Sequence, residues 1–120
     1  MNKNEESTRF FSDKQEKSVC NLLGAVQVSN SGAGRFTKGD VIKKEASLLC
    51  ECKTVMQPKN SVSIKKDWII KNKEEAFSNR LDNSCIAFNF EPDGENYFVI
   101  NERLMRFLAE KLGEDYEKII

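Results

Sequence analysis

The sequence predicts an α/β domain in which a mixed sheet is sandwiched between helices, and three observations carry that prediction. Segments with apolar residues at i, i+3, i+4 and i+7 alternate with short runs rich in aliphatic and aromatic residues, in the order α-β-β-β-α-β-β-α. A length of 120 residues is enough for one domain with a real core. A hydrophobic share of 39% beside 32% charged residues is the balance of a folded globular chain.

The elements follow in order. Residues 1–11 read as a flexible N-terminal arm whose Phe10 and Phe11 need something to bury against. Ser12 followed by Gln15 has capping-box form, and Val19, Leu22, Leu23 and Val26 give the helix it opens one apolar stripe. Gly24 is placed to end that helix, with Ala25 to Val28 leading into a first strand. Residues 29–39 are loop material. Two strands are expected at Asp40 to Lys43 and Ser47 to Lys53, joined by a tight polar turn at Lys44 and Glu45. After a loop through Pro58, Ser63 is positioned to cap a helix from about Ile64 to Leu81, with Ile64, Trp68, Ile69, Ala76 and Phe77 inward. Cys85 to Phe90 and Tyr97 to Ile100 form a hairpin around Pro92, Asp93 and Gly94. Asn101 caps a last helix with Leu104, Phe107, Leu108 and Leu112 inward, and residues 113–120 read as a tail.

No stretch approaches the ~18 apolar residues of a membrane span, and Met1 to Ser7 is too polar and acidic for a signal peptide. Cytoplasmic residence is the expectation. The four cysteines, Cys20, Cys50, Cys52 and Cys85, are expected to be reduced, small, apolar side chains in such a compartment. A zinc site is disfavoured, because the chain has no CxxC pair and no histidine. Nineteen basic residues balance nineteen acidic ones, so a nucleic-acid partner requires the lysines to be gathered on one face. Clustering at Arg35–Lys44 and Lys53–Lys73 points that way.

Glu51 and Lys53 sit in a strand otherwise built for burial. Alternation puts Leu49, Glu51 and Lys53 on one face and Leu48, Cys50 and Cys52 on the other. A cross-strand ion pair on a sheet face is the plain reading of an isolated E-x-K. Asp40 adds to it, because a tight hairpin sets this residue beside Glu51. Two converging carboxylates call for a cation, and oxygen ligands favour Mg²⁺, for which Mn²⁺ substitutes. Lys53 then stands where it can orient a water or neutralise phosphorane-like charge. Glu16 flanks the buried face of the first helix and is a further metal-ligand candidate; its plain reading is a solvated carboxylate beside Lys17. The loop Ser29 to Gly34 carries hydroxyls, Ser31 among them, and glycines that let backbone approach a phosphate. It lacks the Gly-Lys-Ser/Thr ending of a Walker loop, so no nucleotide cofactor is expected. Lys59, Lys65 and Lys66 precede or start the long helix and suit phosphate positioning, while Trp68 reads as core.

Taken together, Glu16 with Asn21 to Gly24, Ser31 to Gly34 with Lys38 to Val41, and Leu49 to Thr54 resemble the PD-(D/E)XK nuclease superfamily. Within it they are similar to archaeal-type and phage-encoded Holliday junction resolvases. Ser61 to Trp68 and Ile86 to Phe90 extend the resemblance, which spans about Ser12 to Leu108. It implies a restriction-endonuclease-like αβββαβ core, a mixed central sheet flanked by helices, over residues 12–112. It also implies Mg²⁺-dependent endonuclease activity on four-way DNA junctions, a homodimer, and a part in DNA recombination and repair, in host cytoplasm if the source is a phage. Its catalytic set maps onto Glu16, Asp40, Glu51 and Lys53, with Ser31 in the catalytic loop, and Asp40, Glu51 and Glu16 are the implied metal ligands. Arg35, Lys38, Lys59, Lys65 and Lys66 are the expected DNA contacts. Two features depart from the pattern: the family is typically basic where this chain is neutral, and the arm carries Glu5 and Glu6. A nuclease for other DNA, of restriction or repair type, and a non-catalytic nucleic-acid- or protein-binding module on the same core are the alternatives.

Overall fold

The computed structural model describes residues 3–28 and 40–119. Helix α1 spans Lys3–Leu23, followed by strand β1 (Val26–Gln27) and strand β2 (Asp40–Lys43). A single 3-10 turn, Lys44–Ala46, leads into β3 (Leu48–Lys53); then come α2 (Lys66–Ser78), β4 (Asn83–Phe88), β5 (Tyr97–Val99) and α3 (Glu102–Ile119). The five strands form one sheet in the order β1-β2-β3-β4-β5. β3 and β4 are parallel, and the other three pairings are antiparallel. The chain is thus α/β with a mixed sheet, as the alternation of periods predicts. The parallel pair follows from the crossover through α2, since parallel neighbours need a long connection and a helix supplies one.

Helices α1 and α2 sit on opposite faces of the sheet. On one, Val19 of α1 packs with Val41, Cys50, Cys85 and Ala87. On the other, Ala76 of α2 packs with Ile42 and Leu49. The alternation read in β3 is therefore realised: Cys50 faces α1 and Leu49 faces α2. All four cysteines are free thiols, with Cys50 and Cys85 buried side by side as register partners.

Several boundaries differ from expectation, each for a local reason. α1 begins at Lys3 and absorbs most of the expected arm. No glycine or proline interrupts residues 3–23, so nothing in this stretch of sequence breaks a helix. Ser12 lies within the helix, so Gln15 caps nothing and is released for a tertiary role. At the far end, Gly24 adopts φ +65° and the Ala25 N–H donates to the Cys20 carbonyl at 3.0 Å. That is a Schellman closure, as the glycine predicts.

α2 starts at Lys66, not Ile64, and its N-cap Lys65 makes no capping bond, so Ser63 is not the cap. Its buried residues are Asn72 and Ala76, while Phe77 is 84% exposed and Ile69 is also exposed. The face is turned because Asn72 Nδ2 donates to the Cys85 carbonyl at 2.8 Å, a buried bond that sets the helix rotation. In α3 the Asn101 side chain accepts from the Leu104 N–H at 2.9 Å, as a cap should. The helix then continues through Gly113 to Ile119 in place of the expected tail, and Phe107, Leu108 and Leu112 are not inward but about half exposed.

Candidate active site

Asp40 opens β2 and faces Glu51 across an antiparallel pairing: the register runs Asp40↔Glu51, Val41↔Cys50, Ile42↔Leu49, Lys43↔Leu48. The connection is short enough to fix it, with the Ser47 N–H donating to the Lys44 carbonyl at 2.9 Å and Ser47 itself at φ 50°. Directly opposed residues hold their Cβ atoms about 5 Å apart. Two carboxylates therefore share one patch of the α2-side face. Asp40 is fully buried; Glu51 is partly so.

Lys53 is two residues along β3 on the same face, and its Nζ lies 3.4 Å from Glu51 Oε1. The same ammonium stands 4.6 Å from the centre of the Trp68 ring, with Lys65 Nζ 5.6 Å from that ring. Trp68 is thus half-buried beside the candidate site rather than in the core. A cation over an indole face is attracted by the ring quadrupole, so Glu51 and Trp68 together bracket the lysine head group.

Two polar side chains absent from the expected site hold the end of β3 in place. Gln15 of α1 is buried, and its Nε2 donates to the Lys53 carbonyl at 3.0 Å, to the Ala87 carbonyl at 3.4 Å and to Asn96 Oδ1 at 3.3 Å. Asn89, also buried, accepts from the Val55 N–H at 3.1 Å and bonds the Thr54 hydroxyl. Together they tie the chain on both sides of Lys53 to the neighbouring strand. The only sequence signal for either is a polar residue within an apolar stretch. That signal is visible for Asn89, between Phe88 and Phe90, and hidden for Gln15 by its fit to a capping box.

Glu16 is buried, with Gln27 Nε2 3.4 Å from its Oε1, so it is not the solvated neighbour of Lys17. Lys17 instead pairs with Asp13 at 2.9 Å. Glu16 thus lies where α1 meets β1. Among the described residues no three His, Cys, Asp or Glu side chains gather closely enough to hold an ion by themselves. Lys65 and Lys66 are at the start of α2 as expected, and the Lys59 N–H donates to the Phe90 carbonyl at 2.7 Å. Ser31, Arg35 and Lys38 lie outside the described residues.

The donors at Asp40 and Glu51 are hard carboxylate oxygens, one of them withdrawn from water. That set suits Mg²⁺, which takes one or two carboxylates and completes its shell with water and substrate phosphate. It does not suit a soft metal. The thiols of Cys50 and Cys85 are no alternative: the Cys52 thiol and burial push Cys50 up, against a smaller opposing effect of Cys85, while the Cys50 thiol and burial push Cys85 up, so both stay protonated. Comparison with known proteins finds no matching family model, no matching curated protein and no matching solved structure.

Proposed function

We propose that this chain is a metal-dependent endodeoxyribonuclease of the PD-(D/E)XK kind, hydrolysing phosphodiester bonds in DNA and acting as a homodimer on four-way junctions. The observation that carries the reading is the pairing of Asp40 with Glu51 across β2 and β3, with Lys53 on the same face 3.4 Å from Glu51. An α/β mixed sheet with these residues at its centre is compatible with a restriction-endonuclease-like core.

Asp40 and Glu51 are the residues that would hold Mg²⁺. Bound there, the ion would supply charge neutralisation at the phosphate and acidify a water. The chain's own groups do the rest. Lys53 donates hydrogen bonds, either holding the attacking water in line or stabilising the oxygens of the crowded phosphorus in the transition state. Glu51 and Trp68 keep its ammonium in that place, and Gln15 fixes the backbone from which it extends. Lys59, Lys65 and Lys66 contact backbone phosphates and so position the duplex without reading sequence, with Arg35 and Lys38 assigned the same part. Glu16 and Ser31 keep their places in the proposed set on the resemblance.

The zero net charge favours one other reading, a binding module that retains the core as scaffold. Glu51→Gln separates the two. In the nuclease reading this variant folds, still binds junction DNA and loses cleavage by more than a hundredfold. Unchanged Mn²⁺ affinity and no cleavage by either protein leaves the binding module standing.

A further inference from the structure

Beside the candidate site the sheet carries three aromatic rings that the proposed chemistry does not use. Phe88 is the register partner of Lys53 across the parallel β3–β4 pairing, and Tyr97 is the register partner of Phe88 across β4–β5. Register partners leave a sheet on the same face, so Lys53, Phe88 and Tyr97 form a row across the α2-side face, about 4.8 Å from strand to strand. Phe90 completes the group. Its ring centre lies 5.5 Å from those of both Phe88 and Tyr97, in edge-to-face contacts at 76° and 73°. The Phe88 and Tyr97 rings lie 5.8 Å apart, tilted by 32°. These rings are not core: Phe88 and Phe90 are partly exposed, and Tyr97 is 45% exposed. The Tyr97 hydroxyl donates to Glu95 Oε2 at 3.2 Å, which holds that ring in place.

We infer that this group of rings receives an unpaired nucleobase of the DNA strand whose phosphate lies at Lys53. Aromatic rings take any base, since every base has a π-face. Within a duplex both faces of a base are covered by its neighbours. A protein ring therefore takes a base with a bare face, as in a single strand, a flap or the open centre of a junction. The spacing suits such a strand. Tyr97 stands two strand spacings, about 10 Å, from Lys53, which three stacked nucleotides cover at ~3.4 Å each. The charges suit it too. Lys53 adjoins Phe88, Lys65 Nζ stands 5.6 Å from the Trp68 ring, and the Lys59 N–H bonds the Phe90 carbonyl at 2.7 Å. The acidic groups come from the β4–β5 connection: Glu91, Asp93 and Glu95. Lys14, the lysine that reaches this connection, is paired with Asp93 at 3.4 Å. A phosphate is drawn to the lysines and turned away from the acids, which leaves the base as the part of a nucleotide that meets the rings. The inference rests on the proposed function for the presence of DNA on this face, and adds to it that the strand is locally unpaired.

The test is binding in EDTA, so it passes or fails separately from cleavage. A dye-labelled oligothymidylate of twelve nucleotides is titrated with the protein at fixed ionic strength and followed by anisotropy, beside an equally long strand of abasic sugars. The two carry the same phosphates and differ only in their bases. The wild type is expected to bind the intact strand more tightly. Tyr97→Ala is expected to weaken that binding between about fivefold and a hundredfold, the usual worth of one stacked base, and to leave the abasic strand within twofold. Tyr97→Phe is expected to keep the preference. Tyr97→Leu keeps the apolar bulk without a flat ring, so it is expected to fold as wild type by circular dichroism and to lose the preference. Equal affinity of the wild type for the two strands, or binding to neither, overturns the inference and leaves the rings as a cover for the β4–β5 turn. A preference for the intact strand that survives both Tyr97→Ala and Tyr97→Leu overturns it as well. A protein that shows the predicted preference yet cuts no DNA in Mg²⁺ loses the nuclease reading and keeps this one.

Discussion

Replacing Gln15 with leucine keeps the side-chain volume close to native and removes the amide that holds the end of β3. In the structure that amide makes one well-formed bond, 3.0 Å to the Lys53 carbonyl, and two long ones, 3.4 Å to the Ala87 carbonyl and 3.3 Å to Asn96. A buried acceptor left without its donor costs about 1–3 kcal/mol, and the long bonds contribute only a fraction of that. Leucine recovers part of the difference because it is easier to bury than an amide. The balance is a loss of about 2 kcal/mol. At roughly 4 °C per kcal/mol for a domain of this size, Tm falls by about 8 °C. Because Gln15 grips the backbone of Lys53, the cleavage rate is also expected to fall while junction affinity holds. Thermal melts followed by circular dichroism give the first quantity, and single-turnover cleavage beside binding titration gives the second. A Tm within a degree or two of wild type would refute the argument that this amide, buried and far from its sequence partners, fastens the site.

Trp68→Ala is expected to slow single-turnover cleavage roughly fivefold, the worth of about 1 kcal/mol of cation–π attraction on the Lys53 ammonium, and Trp68→Phe to recover most of it. An unaffected Trp68→Ala enzyme would remove the ring from the site. Native-state alkylation with iodoacetamide, followed by peptide mass mapping, is expected to leave Cys50 and Cys85 unmodified, since Cys52 beside Cys50, Cys50 beside Cys85, and burial of both hold them protonated. Denaturant should expose all four cysteines. Rapid labelling of Cys50 in the folded protein would contradict the core described here. Phe77→Ser is expected to change stability by no more than about 0.5 kcal/mol, because the ring is 84% exposed; a large loss by urea denaturation would place α2 on a different face.

The centre of the candidate site was legible because it depends on short-range geometry. A period of two along Leu48–Lys53 and a tight connection to Lys43 leave few ways to place Asp40 other than opposite Glu51. The helix faces were harder to read. An apolar stripe shows that something should cover it, but not how closely, so Phe107, Leu108 and Leu112 read as inward although all three are about half exposed, Phe107 and Leu108 across an open cavity from Leu48 and Phe98. Phe77 misled for a related reason: one buried hydrogen bond from Asn72 outweighs a phenyl ring in choosing which face of α2 meets the sheet. Gln15 was misread because a local capping pattern and a long-range bond to Lys53 use the same side chain, and the sequence displays only the first. Glu16 illustrates the converse. Its spacing from Val19 and Leu23 marks it as near the buried face, and the contact with Gln27 that accompanies its burial comes from a strand the helix pattern does not reveal.

The central claim, that Asp40 and Glu51 with Lys53 hydrolyse DNA, is tested most directly on a four-way junction labelled on one strand at a time. The protein is incubated with it in Mg²⁺, beside linear duplex of equal length and the Asp40→Asn variant. Paired nicks at symmetry-related positions, absent with the variant and absent without divalent ion, are the predicted result. A folded wild-type protein that cuts neither junction nor duplex in Mg²⁺ or Mn²⁺, or a variant that cuts as well as wild type, would contradict it.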